Sequence, residues 1–534
     1  MATDTSSIET RGKAMKSKSY NDISDELGIV HAKIVKTLGD GVWQLFTMMP
    51  YYFFVANSGG NAVLNQFSFA KPRMFCPNST TDFCDANSSS CNNPIYGKSE
   101  LLKNTAVEFF NLGCNAGDYI QFEKSVYIFG LLLGSIFGGR AVDLAGRRTA
   151  AIVSSTLELL LITSMIFVPN IWYFYFCRVI VGFASMISYM TGTSVACEIS
   201  KPRSRIFWSM TKAVVYPMGV SYQALLSYLF VDWRYLGVAM QYSLSLPCLL
   251  LLIFFGHESP QWCLNNRKIA DYKKCINFAC RLNRKLHNND INEYLAEIES
   301  LAGENVKTEQ ESGCNVVTWS VDKIKGFAKI FKLFSNVTIA IRTLIYSYLF
   351  ITVVAVYYTY LFGIKDLVDL PIREYYCLTA VFDVPGVVIG GICLEVFGRK
   401  YVETVCFLVA GAFLLMSLVL PSFAIYSSSI SRSFVNVGFS SLYPWMTESY
   451  PTLYRSSALG LCSMFGRIAG LITPYLKNIK MFGDNFMSIL FFGALMISAV
   501  SCLCLPETKG KRMPSTLNEA TNIFKSEKAK TTAA

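Results

Sequence analysis

Two stretches of this chain repeat one pattern: Gly139-Arg140-Ala141-Val142-Asp143-Leu144-Ala145-Gly146-Arg147-Arg148 and Gly391-Ile392-Cys393-Leu394-Glu395-Val396-Phe397-Gly398-Arg399-Lys400. In each, a glycine is followed by an acid four residues later, then a second glycine and two basic residues, and the second copy begins 252 residues after the first. Two further pairs recur in the same order: Glu198 and Arg205 against Glu448 and Arg455, and Glu258-Ser259-Pro260 against Pro506-Glu507-Thr508. Three pairs in one order predict a chain built from two equivalent halves.

The composition is typical of a membrane protein. Of 534 residues, 52% are hydrophobic and 16% are charged, whereas about 25% are charged in an ordinary soluble domain. The three histidines, His31, His257 and His287, lie far apart in polar segments, so we expect no histidine metal site, no catalytic triad and no cofactor. The basic residues behind the net charge of +11 gather at the ends of apolar segments, which indicates membrane topology and not nucleic-acid binding.

Apolar runs, read with a window of about 19 residues, predict an all-α membrane protein with twelve transmembrane helices. Together with the repeat, these runs predict two six-helix halves related by an axis along the membrane normal, as in the major facilitator fold. The predicted spans are 42–68, 119–141, 149–168, 171–194, 207–230, 235–255, 338–361, 374–396, 402–420, 423–446, 457–479 and 485–505.

The basic residues of the short loops predict the orientation. Arg147-Arg148, Lys201, Arg399-Lys400 and Arg455 lie in loops that would then be cytoplasmic. We expect a multi-pass protein of the plasma membrane with both termini in the cytoplasm and an uncleaved N-terminal segment, 1–41. The two halves then cover 42–255 and 338–505, with a cytoplasmic loop of amphipathic helices at 256–337 and a cytoplasmic tail at 506–534.

The predicted loop at 69–118 has the features of an extracellular segment. It contains four cysteines and two glycosylation sequons, which begin at Asn78 and Asn87. We therefore expect disulfides and N-linked glycans on this loop. The sequence leaves all three pairings open for Cys76, Cys84, Cys91 and Cys114.

The repeated acids and bases are candidates for an inner gate. They fall at the predicted cytoplasmic ends of spans in both halves, where ion pairs could form in one state and part in the other. The alternative is that these charges only set the topology. The candidate gating residues are Asp143, Arg147, Arg148, Glu198, Arg205, Glu395, Arg399, Lys400, Glu448 and Arg455.

Four ionisable residues fall inside predicted spans: Glu158, Asp383, Arg432 and Arg467. An ionisable group in the hydrocarbon costs at least roughly 2.5 kcal/mol, so each is a candidate for function. Arg467 could hold a carboxylate or sulfate through its planar fork, or form a structural ion pair with Asp383. Asp383 could instead couple a proton or hold a substrate amine, and Arg432 could attract anions or pair near the membrane surface. For Glu158 we expect packing beside a polar neighbour.

Further motifs resemble those of the organic cation, anion and zwitterion transporters of the major facilitator superfamily, from about residue 20 to about residue 520. They are Tyr20-Asn21-Asp22-Ile23, Glu108-Phe109 leading to Cys114, Asp232-Trp233-Arg234, Glu258-Ser259-Pro260-Gln261-Trp262, Glu448-Ser449-Tyr450-Pro451-Thr452 and Pro506-Glu507-Thr508-Lys509-Gly510. Sugar porters share some of these elements, but the long cysteine loop and Glu-Ser-Tyr-Pro-Thr distinguish this family from them.

The resemblance implies a set of substrate contacts. The position nineteen residues after the glutamate of Glu-Ser-Tyr-Pro-Thr, here Arg467, is typically an acid in cation carriers and an arginine in anion and carnitine-type carriers. Asp383 matches an acid-x-Pro element, and Arg432 falls where the family often has a base. The implied aromatic walls of the cavity are Tyr216, Tyr357, Tyr358, Phe439 and Tyr443.

We therefore expect a secondary-active or facilitative carrier of small organic ions, with organic anions as its substrates. Carnitine-like zwitterions and organic cations are the alternatives within the same class. No phosphate-cradling loop of a nucleotide-driven pump is present in the sequence. A membrane enzyme would need a nucleophile with its base, or a metal cluster, inside a span, and the sequence has neither. The remaining interpretation is a sensor or scaffold that keeps the fold but does not transport. The expected partners are the substrate and the lipid bilayer, and the oligomeric state is left open.

Overall fold

The computed structural model is a helical protein with one small two-stranded sheet among its described residues. It describes residues 20–70, 74–75, 95–96, 102, 104–112, 116–201, 204–285, 289–312, 334, 336–362, 371–450, 452–476 and 485–509. The chain divides into two compact units. The small unit comprises 1–45, 198–201 and 258–325, and the large unit comprises 46–197, 202–257 and 326–534.

The spans lie in the large unit, except for residues 42–45 of span one and 198–199 of span four. The long helices are span one, Val42–Ser68; span two, Ala116–Leu133 continued by Gly134–Gly138 and Gly139–Ala145; span three, Arg147–Ser164; span four, Ile171–Ile199; span five, Arg205–Leu229; span six, Trp233–Met240, Gln241–Ser245 and Leu246–Phe255; span seven, Val337–Phe362; span eight, Ile372–Phe397; span nine, Arg399–Val419; span ten, Ala424–Ser449; span eleven, Thr452–Leu476; and span twelve, Phe486–Leu503. Each overlaps one predicted run, so the predicted fold is confirmed.

Eight of these helices are long and apolar enough to cross a membrane on composition alone, among the residues described. Spans one, three, five and ten do not meet that criterion, because they carry more polar side chains. Several of these are fully buried, including Asn57 in span one, Glu158 in span three and Arg432 in span ten. Polar groups inside a bundle face other helices and not lipid, which accounts for the lower hydropathy of these four spans.

The second glycine of each repeat forms the tight joint between two spans. Gly146 joins spans two and three with φ at 95°, and Gly398 joins spans eight and nine with φ at 93°. A side chain at this φ would be strained, so the pattern requires glycine at both sites. The sequence repeat therefore corresponds to a repeated backbone geometry.

Close helix packing brings side chains of both halves into contact. Span eight packs along span five, span ten also touches span five, and span eleven touches both span seven and span two. Where spans one and five cross, a Cβ atom on Gly219 would lie 1.9 Å from the carbonyl oxygen of Ala56. Only a residue without a side chain permits this crossing.

The small unit is built from four described helices: Tyr20–Leu38, Pro260–Asn265, Ile269–Leu282 and Asn289–Ser312. In Asn289–Ser312, Ile291, Leu295 and Ile298 are buried at intervals of four and three residues, which is the amphipathic pattern that the sequence predicted. His31 lies buried with its Nδ1 atom 3.2 Å from the Tyr272 hydroxyl. Burial lowers the pKa of His31 to about 4, so this histidine is neutral at physiological pH.

The segment between spans one and two is described only in part. Met74–Phe75 (β1) pairs antiparallel with Ile95–Tyr96 (β2), and a short helix covers Ala106–Phe109. The predicted disulfide cysteines and sequons lie outside the described residues: Cys76, Cys84, Cys91, Cys114, Asn78 and Asn87.

Candidate functional site

A cavity of about 40 Å³ lies inside the large unit, between helices of both halves. Spans one, two, four and five contribute lining residues from the first half, and spans seven, ten and eleven from the second. This volume has room for a few water molecules, so an organic ion requires the helices to part. The lining residues are Ser58, Leu131, Ser185, Met186, Tyr189, Ala213, Tyr216, Val354, Tyr357, Tyr358, Asn436, Phe439, Ser440 and Arg467.

Arg467 is the one lining residue of this cavity that carries a charge at neutral pH. Its Nη1 donates a hydrogen bond of 2.8 Å to the Tyr358 hydroxyl, and its Nη2 lies 3.7 Å from the Met186 sulfur. The guanidinium carbon is 5.9 Å from the centre of the Phe439 ring. Within the described part of the chain, no carboxylate lies at ion-pair distance from Arg467. The cavity therefore holds a buried positive charge without a protein counter-ion.

Aromatic rings form one wall of the cavity. Tyr357 stacks on Phe439, with ring centres 6.3 Å apart and an interplanar angle of 14°. Tyr216 meets Tyr357 at 6.4 Å, so the three rings form a continuous surface. Tyr443 lies behind it, edge-on to Phe439 at 5.4 Å, and does not line the cavity. Four of the five predicted aromatic residues, Tyr216, Tyr357, Tyr358 and Phe439, thus lie together at the cavity.

Asn436 supplies an unused donor on the same wall. Its side chain is 4% exposed, and its amide Nδ2 has no hydrogen-bond partner. A buried polar group without a partner carries a free-energy penalty. Because Asn436 lines the cavity with Arg467, a bound acceptor could remove that penalty. Nothing in the sequence distinguishes Asn436, since one asparagine in a serine-rich span has no characteristic pattern.

Asp383 pairs with Arg432 and not with Arg467. The Oδ2 atom of Asp383 lies 3.2 Å from Nη2 of Arg432, and both side chains are fully buried. Neither residue lines the cavity, although the Arg432 guanidinium lies 5.5 Å from the Tyr357 ring centre. The alternative in which Asp383 neutralises Arg467 is therefore wrong, because Arg432 occupies the ion-pair position. Arg432 therefore makes its ion pair inside the helix bundle.

Lys212 is a second buried cation, which the sequence analysis missed. It lies in span five beside the lining residue Ala213 and is 4% exposed. Its ammonium donates a hydrogen bond of 2.5 Å to Thr193 and lies 3.8 Å from the Tyr189 ring centre and 5.5 Å from that of Tyr443. Its signal in the sequence is a lysine inside the predicted apolar span 207–230.

Three gating candidates of the second half, Arg399, Lys400 and Glu448, belong to one network. Arg399 pairs with Glu448 at 3.0 Å, and the Thr508 hydroxyl donates to the other Glu448 oxygen at 2.6 Å. Glu507 accepts hydrogen bonds from the backbone N–H groups of Arg399 and Lys400, at 3.1 and 3.0 Å. A carboxylate at a helix N-terminus is stabilised there by the free N–H groups and the helix dipole. The repeated motif therefore connects the start of span nine, the C-terminal end of span ten and the segment after span twelve.

The first-half candidates make related contacts. Arg147 pairs with Asp143 at 2.9 Å, and Arg148 donates to the carbonyl oxygens of residues 252 and 253 in span six. Within the small unit, the Ser259 hydroxyl donates to Glu198, just as Thr508 donates to Glu448 in the second half. Glu395 is exposed, and the side chains of Arg205 and Arg455 lie outside the described set.

Comparison with known proteins places these features in a family context. The sequence model of the Major Facilitator Superfamily matches residues 116–474. The chain is 25% identical over 445 residues to a Drosophila melanogaster organic cation transporter protein, covering 82% of this chain and 77% of that one. It is 24% identical over 460 residues to human organic cation/carnitine transporter 2, covering 84% and 77%.

Solved structures support the same architecture. The proton:xylose symporter XylE superposes with a TM-score of 0.57 at 16% sequence identity, covering 90% of this chain and 98% of that one. At this identity the likeness concerns the fold alone.

Proposed function

Because the chain belongs to the Major Facilitator Superfamily, we propose that it carries small organic anions by alternating access, with Arg467 binding the substrate charge. The superfamily consists of transporters, so the chain is a multi-pass membrane transporter and not an enzyme. The resemblance to organic cation, anion and zwitterion transporters is confirmed by the matched relatives. The preference for anions is our inference from the cavity.

The uncompensated charge of Arg467 carries this proposal. A buried guanidinium without a carboxylate partner is unfavourable, and an anionic substrate would supply the missing counter-charge. Its planar fork suits a carboxylate or sulfonate in bidentate fashion. Asn436 adds a neutral donor on the same cavity wall, and Lys212 adds positive potential from behind Tyr189. The lining residues contain no aspartate or glutamate to hold an organic cation.

The aromatic wall favours substrates with an organic skeleton. Tyr216, Tyr357 and Phe439 present ring faces and edges to the cavity. Such surfaces accept varied apolar shapes without requiring matched hydrogen bonds. The wall would thus bind the body of the substrate while Arg467 binds its charge.

We propose that the ion pairs of the gating residues close the cytoplasmic side of the carrier. In our proposal, the halves 42–255 and 338–505 rock about the cavity, and ion pairs such as Arg399 to Glu448 form when the cytoplasmic side is shut. The two side chains are 10% and 18% exposed, and parting of the helices would let water solvate both charges. The cycle needs a substrate gradient or exchange and no nucleotide.

The remaining topology belongs to the proposal. We place the protein in the plasma membrane with both termini and loop 256–337 in the cytoplasm. Loop 69–118 would then face outside, with its cysteines oxidised and Asn78 and Asn87 glycosylated.

A carnitine-like zwitterion is the second candidate. Its carboxylate could pair with Arg467 while its ammonium group lies on the rings of Tyr357 and Phe439, since cations bind aromatic faces. The similarity to a relative named as an organic cation/carnitine transporter favours this alternative.

An uptake panel tests the proposal. Cells expressing the wild type receive labelled p-toluenesulfonate, succinate, carnitine or tetraethylammonium, and Arg467→Asp and Arg467→Lys are measured in parallel. We expect sulfonate or carboxylate uptake in the wild type, loss of at least tenfold in Arg467→Asp, and partial retention in Arg467→Lys, which keeps the charge but not the fork.

Each other outcome has a distinct meaning. Uptake of carnitine alone would favour the zwitterion alternative. Tetraethylammonium uptake by the wild type would refute the anion assignment, and so would anion uptake that Arg467→Asp leaves unchanged. If none of the compounds crosses while one of them binds, the chain acts as a sensor.

A further inference from the structure

A buried carboxyl group outside the substrate cavity suggests a second transported species. Glu158, in span three, is 2% exposed. Its Oε2 atom accepts hydrogen bonds from the side-chain amides of Asn57, at 2.7 Å, and Asn61, at 3.3 Å. Both partners are neutral, and no ion pair includes Glu158 among the described residues.

The amides form a closed ring that orients this carboxyl group. Asn57 also donates to Gln241 at 3.1 Å, and Gln241 donates to the side-chain oxygen of Asn61 at 3.3 Å. The ring therefore runs through spans one, three and six. It directs two N–H groups at one Glu158 oxygen and holds the side chain in one orientation.

Two oxygen atoms of the cluster lack a donor. Glu158 Oε1 and Asn57 Oδ1 are buried and have no hydrogen-bond partner. An ionised carboxylate without a counter-ion is strongly disfavoured in such an environment, so the group takes up a proton. On Oε1, that proton would occupy one of the two oxygens that lack a donor. A metal ion would need several oxygen ligands directed at it, whereas here amide N–H groups face the carboxyl.

The nearby charges do not replace this proton. On span two, Tyr127 is uncharged at neutral pH, and its hydroxyl donates a hydrogen bond of 3.3 Å to the carbonyl oxygen of Ser58. Arg178 of span four is paired with Glu123 at 2.6 Å, both fully buried, and its Nη2 donates to the backbone oxygen of Asn61. The Arg178 charge is therefore compensated by Glu123. Spans one and six present the three amides of the ring.

The cluster lies next to the substrate cavity. Ser185 lines the cavity and lies beside the Glu158 carboxyl. Asn57 precedes Ser58, another lining residue. A serine hydroxyl both donates and accepts, so it can pass a proton between the carboxyl and cavity water. Opening of the cavity would therefore let Glu158 exchange its proton with whichever side is open.

We propose that Glu158 is a proton-coupling site: it carries one proton across the membrane with each organic anion. The proton leaves Glu158 for cavity water through Ser185 on the side of release, and a proton from the opposite side restores the neutral acid before the next cycle. Movement of one proton with one monovalent anion is electrically neutral. This inference rests on the proposed anion transport.

Proteoliposomes provide the transport test. The probe is p-toluenesulfonate, whose charge does not change with pH in this range, and the membrane potential is held at zero. With the outside one pH unit more acidic, the wild type should accumulate the probe about tenfold, since each proton brings one anion. Glu158→Gln, which mimics the neutral acid, should accumulate no more than the outside concentration while still exchanging labelled for unlabelled probe.

Glu403→Gln is the matched control. Glu403 is also fully buried, in span nine, and its carboxylate accepts a hydrogen bond from Ser441, but it does not line the cavity. Its variant should keep the wild-type accumulation ratio. Accumulation by Glu158→Gln equal to that of the wild type would overturn the proposal, as would accumulation that follows a sodium gradient and not a proton gradient.

Infrared spectroscopy tests the protonation separately from transport. Purified wild type at neutral pH should show a protonated-carboxyl stretching band that Glu158→Gln lacks. No difference between the two spectra would overturn the proton site. A wild type that shows the band but does not exchange the probe would instead count against anion transport.

Discussion

Substitution of the buried ion pair between Asp383 and Arg432 tests whether these two residues have a structural role or bind the substrate. Both side chains are fully buried and their charged atoms lie 3.2 Å apart. Replacing either one leaves the other as an unpaired buried charge, which costs about 3–5 kcal/mol. We therefore expect Asp383→Asn and Arg432→Met each to lower stability by about that amount.

The double variant should recover most of this loss. With both charges removed, neither is left unpaired, and neutral replacement of a buried pair is often tolerated. We expect a coupling free energy of at least about 3 kcal/mol in the double-mutant cycle. Thermal unfolding of the four purified proteins in one detergent, followed by intrinsic fluorescence, gives the order of stabilities.

Transport by the double variant separates a structural role from substrate binding. If the pair only supports the helices behind Tyr357, the double variant should take up the probe anion at a rate near that of the wild type. Additive losses of stability in the cycle would show that the two charges do not interact. A stable double variant without uptake would indicate that Asp383 or Arg432 takes part in substrate binding.

Three further perturbations follow from individual contacts. Because burial lowers the pKa of His31 from 6.5 to about 4, the unfolded chain binds more protons between those values. The His31 contribution to stability is therefore complete above pH 6.5 and falls by up to about 3 kcal/mol as the pH drops towards 4. Thermal unfolding of His31→Gln across this range should lack this pH-dependent loss of stability. A pH profile equal to that of the wild type would contradict the argument. Glu507→Ala removes the carboxylate at the start of span nine and should cost about 1 kcal/mol, measured by the unfolding midpoint against Glu507→Gln. Gly219→Ala would place a Cβ atom 1.9 Å from the Ala56 carbonyl oxygen and should reduce folded protein in fluorescence-detected size-exclusion chromatography. Gly460→Ala has no atom within 4 Å of its Cβ and is the matched control; equal yields would refute the close crossing.

The helix positions were predictable because the thickness of the membrane sets a minimum length for each apolar run. A span must contain about 20 apolar residues, and each predicted run falls on a long helix. Span three is predicted too long, since its predicted end at residue 168 lies beyond the observed end at Ser164. The run remains apolar past the helix end, so hydropathy alone could not locate the turn.

The candidate site was predictable only in part. The predicted span 457–479 places Arg467 inside the membrane, and the family resemblance implies its role in substrate binding. The structure brings it to the same cavity as Tyr357, Tyr358 and Phe439. Lys212 and Asn436 were missed because one polar residue in a span has the same signature whether it faces a cavity or a neighbouring helix.

The number of spans, the order of the two halves and the glycines at the repeated joints could be predicted from the amino-acid sequence, because these properties depend on position along one chain. Which buried charges pair could be seen only in the folded protein. Asp383 and Arg432 lie on different spans, and the choice between Arg432 and Arg467 as its partner depends on the rotation of each helix about its axis. Hydropathy sets the depth of a residue but not that rotation, which is determined by side-chain packing between helices distant in sequence.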